Sequence, residues 1–299
     1  MENRFDNSAS WVILSPIEQS IKRKIEAVGT PLKDWNVKIY RGILTGYNDA
    51  FIIDGAKKDE LIAADPKSAE IIRPILRGRD IKRYSYEFAD LYIIATFPSK
   101  MYNIDDYPAV KEYLLSFGIE RLEQTGKVYR LNGTTIKARK KTTNKWFETQ
   151  DSISYWDDFS RQKIVWGNLC LSAQYAYVEN EVFINAPSTM IVGGTKYLLA
   201  LLNSIVVDWY IRQLGVSRNG GYFEYKPMFV EQAPIPNVTK EIQDKIELLV
   251  DKLLDLYPNN EIEKELDNIV FSLYNLSSEE ISFLDSKSEI KAISSSENE

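Results

Sequence analysis

Pro234-Ile235-Pro236-Asn237-Val238-Thr239 divides two kinds of sequence. Beyond it, Ile242, Ile246, Leu249, Leu253 and Leu256 step by fours and threes, and Leu266, Ile269, Val270 and Leu273 repeat the step after Pro258-Asn259. Apolar residues at that spacing line one face of a helix. Before it, short β-branched or aromatic runs alternate with turn residues: Val37–Tyr40, Phe51–Ile53, Leu91–Phe97, Lys163–Asn168, Ala173–Val178 and Val182–Ile184. Those runs read as strands. The division predicts an α+β fold, a mixed sheet followed by a C-terminal helical hairpin.

Working outward, Ser15-Pro16-Ile17-Glu18 is a capping box with proline at the first helical position, and it predicts a helix over Pro16–Val28 that Gly29-Thr30-Pro31 ends. Asp65–Arg73 suits a short helix, and Gln124–Thr149, polar and carrying Gly126 and Asn132-Gly133, a long surface excursion. Tyr197–Leu214 is the most apolar run, but Asn203, Ser204, Asp208 and Arg212 would be costly in a bilayer. It reads as a buried core helix, with no membrane partner. The expected organisation is a lead-in with helix (1–30), an α+β domain (31–236), a helical hairpin (237–285) and a Ser/Glu/Lys-rich disordered tail (286–299).

The chain has 299 residues and is 44% hydrophobic, enough for a sizeable core. Cys170 is its only cysteine and it has no histidine, which excludes an intrachain disulfide, Cys/His zinc sites and Ser–His or Cys–His nucleophile pairs. Cys170 reads as a core residue in the apolar run Val165–Leu171. Met1–Ser10 is polar and carries no secretory signature, so a cytoplasmic protein is expected. None of the 14 glycines forms a GxG, no prolines are adjacent, and there is no GxxxxGK[ST]. These gaps remove the glycine turn of S-adenosylmethionine enzymes, the Asn/Asp-Pro-Pro-aromatic loop of amino methylation, and a nucleotide-phosphate loop. No catalytic, metal-binding or cofactor-binding residue is expected in this chain.

One nuclease-like arrangement remains: Asp208 with Glu224-Tyr225-Lys226 fits the acidic residue and [Asp/Glu]-x-Lys pair of magnesium nucleases. Asp65-Pro66-Lys67, Asp285-Ser286-Lys287 and Glu289-Ile290-Lys291 match the triplet equally well.

The net charge of −6 is unevenly placed: from Asn237 onward 6 Lys/Arg face 15 Asp/Glu, so the tail is acidic and residues 1–236 carry a small positive excess. Within that part, Glu120–Lys145 holds Arg121, Lys127, Arg130, Lys137, Arg139, Lys140, Lys141 and Lys145 against Glu120 and Glu123. Such a run is an electrostatic footprint for phosphates, or a loop kept soluble by lysines. Trp146-Phe147, Tyr155-Trp156, Arg161, Lys163 and Trp166 then interleave aromatics with cations, as stacking faces for nucleic acid do, although Phe159 and Trp166 suit the core.

Arg77-Gly78-Arg79-Asp80-Ile81-Lys82-Arg83-Tyr84 is a second basic turn, with guanidiniums able to read guanine or, through Asp80, to brace the turn. Arg218-Asn219-Gly220-Gly221-Tyr222 combines a cation, an adenine-reading amide and an aromatic, or serves as a helix-to-strand turn. The candidate DNA-binding residues are Arg77, Arg79, Lys82, Arg83, Lys137, Arg139, Lys140, Lys141, Lys145, Arg161, Arg218, Asn219 and Tyr222. The three loops are expected to face one DNA groove, with the acidic helices on the opposite side, since a negative tail within roughly 10 Å of phosphates opposes binding. The other class of reading is a protein-interaction module whose apolar helix faces beyond Thr239 dock a partner subunit.

Arg41-Gly42-Ile43-Leu44-Thr45-Gly46-Tyr47-Asn48-Asp49-Ala50-Phe51, Leu76–Tyr84, Lys163-Ile164-Val165-Trp166, Tyr197-Leu198-Leu199-Ala200-Leu201-Leu202-Asn203-Ser204, Gly220-Gly221-Tyr222 before Lys226-Pro227, Pro234-Ile235-Pro236 and Leu273-Tyr274-Asn275-Leu276 follow one another in a characteristic order. In order and spacing they resemble the TaqI-like C-terminal specificity domain, the target-recognition half of type II and type IIG restriction–modification adenine methyltransferases, over roughly Ile13–Ser282. The resemblance implies an α+β recognition domain that binds double-stranded DNA. It also implies a catalytic methyltransferase domain, in cis or as a separate subunit, which binds S-adenosylmethionine and takes the flipped adenine. It does not assign base-contacting residues.

Overall fold

The computed structural model describes residues 14–131 and 133–296, so residues 1–13 of the expected lead-in, Asn132 of the expected turn and residues 297–299 of the expected tail lie outside the described residues. Two four-stranded sheets form its centre. The first orders Tyr175–Val178, Lys163–Trp166, Thr189–Val192 and Lys38–Arg41, all antiparallel. The second orders Phe183–Ile184, Ile72–Leu76, Leu91–Ile94 and Ile52–Asp54, with the Phe183–Ile184 pairing parallel and the others antiparallel. The α+β expectation with mixed pairing holds.

Side chains alternate across a strand, and that alternation places the cores. Val165, Ala176, Val178, Met190 and Val192 leave the first sheet toward Ile75, Ile93 and Phe183 of the second, forming a core between the sheets. Ile164, Trp166, Tyr175 and Ile191 point the other way, into a core of helices. On the far face of the second sheet, Ile53, Ile72 and Ile94 pack against Leu61, Val110 and Leu114 from the helices Gly55–Ala64 and Pro108–Leu115.

The N-terminal helix spans Pro16–Val28, with the capping box of Ser15 and Glu18 formed. The long apolar run is two helices, Lys196–Asn203 and Ile205–Leu214, because Ser204 caps the second by accepting from Val207 N–H. Asn203, buried, accepts from Tyr175 N–H at 3.1 Å and donates to Tyr175 O at 2.9 Å, which latches the first of these helices to a strand.

The C-terminal part holds three helices, Lys240–Leu256, Asn260–Leu273 and Ser278–Ser296, so helix continues past 286, where a disordered tail was expected. Ile246, Val250, Leu253, Val270 and Tyr274 are wholly buried in the same core as Ile21, Ile25 and Leu198. Each such aliphatic side chain contributes about 1.5–3 kcal/mol when fully buried, so these helices are integral to the fold. Chain entry and exit meet where Gly29–Pro31 pairs antiparallel with Pro234–Pro236. Tyr197 and Tyr274 fasten that exit by donating to Pro236 O at 2.8 Å and Pro234 O at 2.6 Å. Among the described residues no helix is long and apolar enough to cross a membrane.

Candidate nucleic-acid interface

Arg77, Gly78, Arg79 and Asp80 form a 3₁₀ turn after the strand Ile72–Leu76. Asp80, buried, accepts from Arg77 N–H, Nε and Nη2 at 2.8, 2.9 and 2.7 Å. Burial alone would raise the Asp80 carboxyl, but the Arg77 bonds overcome it and hold the group below its usual range. Arg77 is thereby the brace, and Arg79 stands exposed. A Cβ on Gly78 would sit 3.1 Å from Ser188 Oγ and 3.7 Å from Gly167 Cα, so the turn lies against the Ser188 side chain and the Gly167 backbone. Lys82 is half-buried.

On the other side of Gly167, Asn168 and Leu169 line a cavity of about 590 Å³ with Pro187, Arg218, Asn219, Glu224 and Lys226. The Arg218 loop needs its double glycine: Gly220 and Gly221 have φ of 75° and 77°, where a Cβ is strained. Arg218 N–H closes the loop onto Tyr222 O at 2.7 Å. Glu224, buried in the strand Phe223–Glu224, accepts from Arg218 Nε at 2.6 Å and pairs with Lys226 Nζ at 2.7 Å. Lys226 and Arg218 together hold its carboxyl below the usual range. Arg218 itself remains 54% exposed, and Asn219 and Tyr222 are exposed beside it. Asn168 accepts from Thr189 Oγ1 through Oδ1 at 2.9 Å, which leaves its amide N–H groups as donors at the cavity. An isolated asparagine after a strand gives no sequence signal, and Lys226 stands in the sequence as a nuclease candidate and a motif residue but not as a DNA-contacting one.

The excursion Gln124–Thr149 contains an antiparallel hairpin, Val128–Leu131 with Thr134–Lys137. Arg139, grouped with its neighbours by charge, is 2% exposed. Its guanidinium donates to four backbone carbonyls: Leu122 at 2.7 Å, Thr45 at 2.9 Å, Glu148 at 2.7 Å and Trp146 at 2.6 Å. It organises the hairpin base and has no donor surface facing solvent to offer a phosphate. Lys137, Lys140, Lys141 and Lys145 are exposed around it. Phe147 is buried and Tyr155 stacks on Tyr40 at 4.2 Å, so these aromatics serve packing. Arg161 is exposed and bonds Asp158 at 3.0 Å.

The segment Gly42–Thr45 joins the hairpin base to the cavity rim: Gly42 N–H donates to Ser188 O at 2.7 Å, and Thr45 O accepts from Arg139. Three peptide steps span at most about 11 Å. The structure thus sets the Arg77–Asp80 turn against Gly167, next to the cavity that Arg218 and Asn219 line, and joins the base of the lysine-bearing hairpin to Ser188 through one short segment.

Arg83 lies elsewhere. Its Nε donates to Glu263 Oε2 at 2.6 Å and its Nη1 to Asn203 O. Glu263 belongs to the acidic helix Asn260–Leu273, so that helix borders the end of the Arg77–Arg83 turn rather than the opposite side of the molecule. The physical reason is the shared core: the helix that buries Val270 and Phe271 packs into the same cluster as Tyr84.

The nuclease arrangement has no paired carboxylates. Asp208 accepts from Arg212 Nε at 3.0 Å and Tyr225 Oη at 2.5 Å, whereas Glu224 is held by Arg218 and Lys226. Strand alternation sends Glu224 and Tyr225 to opposite sides. Cys170 is buried, and burial pushes its thiol up to about 11, which suits a packing role.

A layered α+β domain with arginines braced by buried carboxylates is the class that fold and site define. The family model of the TaqI-like C-terminal specificity domain matches residues 73–235, and the chain belongs to that family. Among solved structures, the type IIL restriction–modification enzyme MmeI in complex with DNA is similar over 87% of this chain and 36% of that one, with a TM-score of 0.58 and 14% identity. The type IIG restriction endonuclease BpuSI is similar over 87% of this chain and 33% of its own, with a TM-score of 0.51 and 15% identity. This chain therefore spans about a third of either enzyme. The comparison with curated proteins found no match.

Proposed function

We propose that this chain reads duplex DNA for a restriction–modification adenine-N6 methyltransferase and transfers no methyl group itself. The observation that carries the reading is Arg218, held by buried Glu224 yet half exposed, beside the amides of Asn219 and Asn168. A braced guanidinium presents its remaining N–H groups in a fixed plane, as bidentate contact with guanine O6 and N7 requires, and asparagine pairs likewise with adenine. Membership of a specificity-domain family supports the reading. The partner is a methyltransferase catalytic domain, in cis or as a separate subunit, which supplies the S-adenosylmethionine site. Acting on the cell's own and incoming DNA places the work in the cytoplasm.

The test is retention of a randomised duplex library by the whole chain, followed by sequencing of the bound pool. The expected result is an enriched sequence, one position of which becomes degenerate in Arg218→Ala, with no adenine methylation when S-adenosylmethionine is added to the chain alone. A pool that stays random, or methylation by the chain alone, overturns the proposal.

A further inference from the structure

We infer that the paired strands Val128–Leu131 and Thr134–Lys137 enter the DNA major groove as a two-stranded ribbon, with Arg130 toward base edges and Lys127, Lys137, Lys140 and Lys141 toward flanking phosphates. The inference rests on the DNA reading above and extends it to an element outside the Arg218 cavity.

The register separates the two faces. Val128 pairs with Lys137 and Arg130 with Thr135, so these four side chains share one face, and all four are exposed. Tyr129 and Ile136 pair on the other face and are half-buried, with Tyr129 Oη donating to Glu123 at 2.6 Å. Arg121 Nη1 donates to Lys137 O at 2.7 Å, and Arg139 anchors the irregular segment just after the hairpin. The ribbon is therefore held at its base and along one side, and its cationic side is left to solvent.

Charge decides the occupant. No acidic residue occurs between Glu123 and Glu148. Nearly every other arginine-bearing turn here meets a carboxylate: Arg77 meets Asp80, Arg161 Asp158, and Arg218 Glu224. Among the described residues Lys127, Arg130, Lys137, Lys140 and Lys141 form no ion pair. A face that carries only cations, with Val128 59% exposed among them, suits an anionic surface that also offers apolar patches. The major groove is about 12 Å wide, admits a two-stranded ribbon, and exposes thymine methyl groups beside guanine O6 and N7.

The test uses the whole chain and the duplex it enriches from a randomised library, with guanine replaced by 7-deazaguanine to remove the major-groove N7. Arg130→Ala is expected to weaken the ordinary duplex about tenfold, and the deaza substitution then to cost this variant less than it costs the parent. Lys137→Ala, Lys140→Ala and Lys141→Ala are each expected to lower the salt slope by about one without changing the enriched sequence. Thermal melting checks that these exposed substitutions leave the fold intact. If Arg218→Ala weakens binding while Arg130→Ala and the lysine variants do not, the ribbon inference fails and the DNA reading stands. If the parent enriches no sequence and binds without salt dependence, both fail.

Discussion

Arg83 Nε stands 2.6 Å from Glu263 Oε2, an ion pair across 180 residues that joins the basic turn to the second C-terminal helix. The two side chains are 24% and 19% exposed, so most of the charge is out of water. Removing one member of such a pair strands the other, which costs more than the intact pair contributes. Arg83→Ala is expected to destabilise the protein by about 2–4 kcal/mol in urea unfolding. Its DNA affinity per folded molecule should match the parent. A variant of native stability with weakened DNA binding would return Arg83 to the interface.

Asp267, one helical turn beyond Glu263, makes stability depend on pH. Burial pushes its carboxyl up to about 6, with Arg83 offsetting part of the rise. The unfolded carboxyl titrates near roughly 3.9. Between those values the native state holds more protons than the unfolded chain, so this group's contribution to stability falls as pH rises from about 4 to about 6. Asp267→Asn should flatten that part of the profile and raise the urea midpoint at pH 7 relative to pH 4, measured against the parent. Glu280 acts in the opposite sense. Burial would raise it, but Lys24, the Ser277 N–H and Ser20 hold it down to about 2. Its contribution is present above an unfolded value of roughly 4.3 and is lost as pH falls toward 2. Glu280→Gln should therefore destabilise at pH 7 and converge on the parent in acid.

Gly29→Ala probes the closure of the chain. A Cβ there would lie 2.4 Å from Pro234 C, a backbone atom that cannot swing aside. The substitution is expected to separate Gly29–Pro31 from Pro234–Pro236 and to cost about 1–3 kcal/mol as overpacking does. Thermal melting measures it, and an unchanged midpoint would mean that the pairing is dispensable.

Local signals were legible in the sequence and long-range ones were not. The capping box set the start of the helix at Pro16, and the steps from Ile242 to Leu256 marked a helix, because both depend on neighbours within a turn or two. The sequence of the strand Ile72–Leu76 carries a partly helical signal, since Asp65 and Pro66 open a 3₁₀ turn just before it and Pro74 interrupts its pattern. Thr189–Val192, wholly buried, carries no strand signal in the sequence, because a strand flanked on both faces shows no alternation. At the site, the basic runs located the Arg77 and Arg218 turns. Charge alone could not tell exposed Lys140 from buried Arg139, whose four carbonyl partners come from segments up to 94 positions away.

That distinction yields the sharpest test of the basic run. Arg139→Ala leaves the carbonyls of Leu122, Thr45 and Trp146 without their donor in a largely buried place, while Glu148 O keeps Gln124 Nε2 at 3.0 Å. Stranded carbonyls cost about 1–3 kcal/mol in such settings, so the urea midpoint should fall and amide exchange should quicken around Ala138 and Thr149. Arg139→Lys should recover little, since one ammonium has three donors and no planar fork to span four acceptors. Lys140→Ala and Lys141→Ala, both at exposed positions, should leave stability within about 0.5 kcal/mol while lowering the salt slope of DNA binding. Charge reversal of all three together would merge these effects, so the substitutions must be made singly. An Arg139→Ala variant that melts with the parent and loses salt slope like Lys140→Ala would mean that the guanidinium faces solvent and serves the DNA directly.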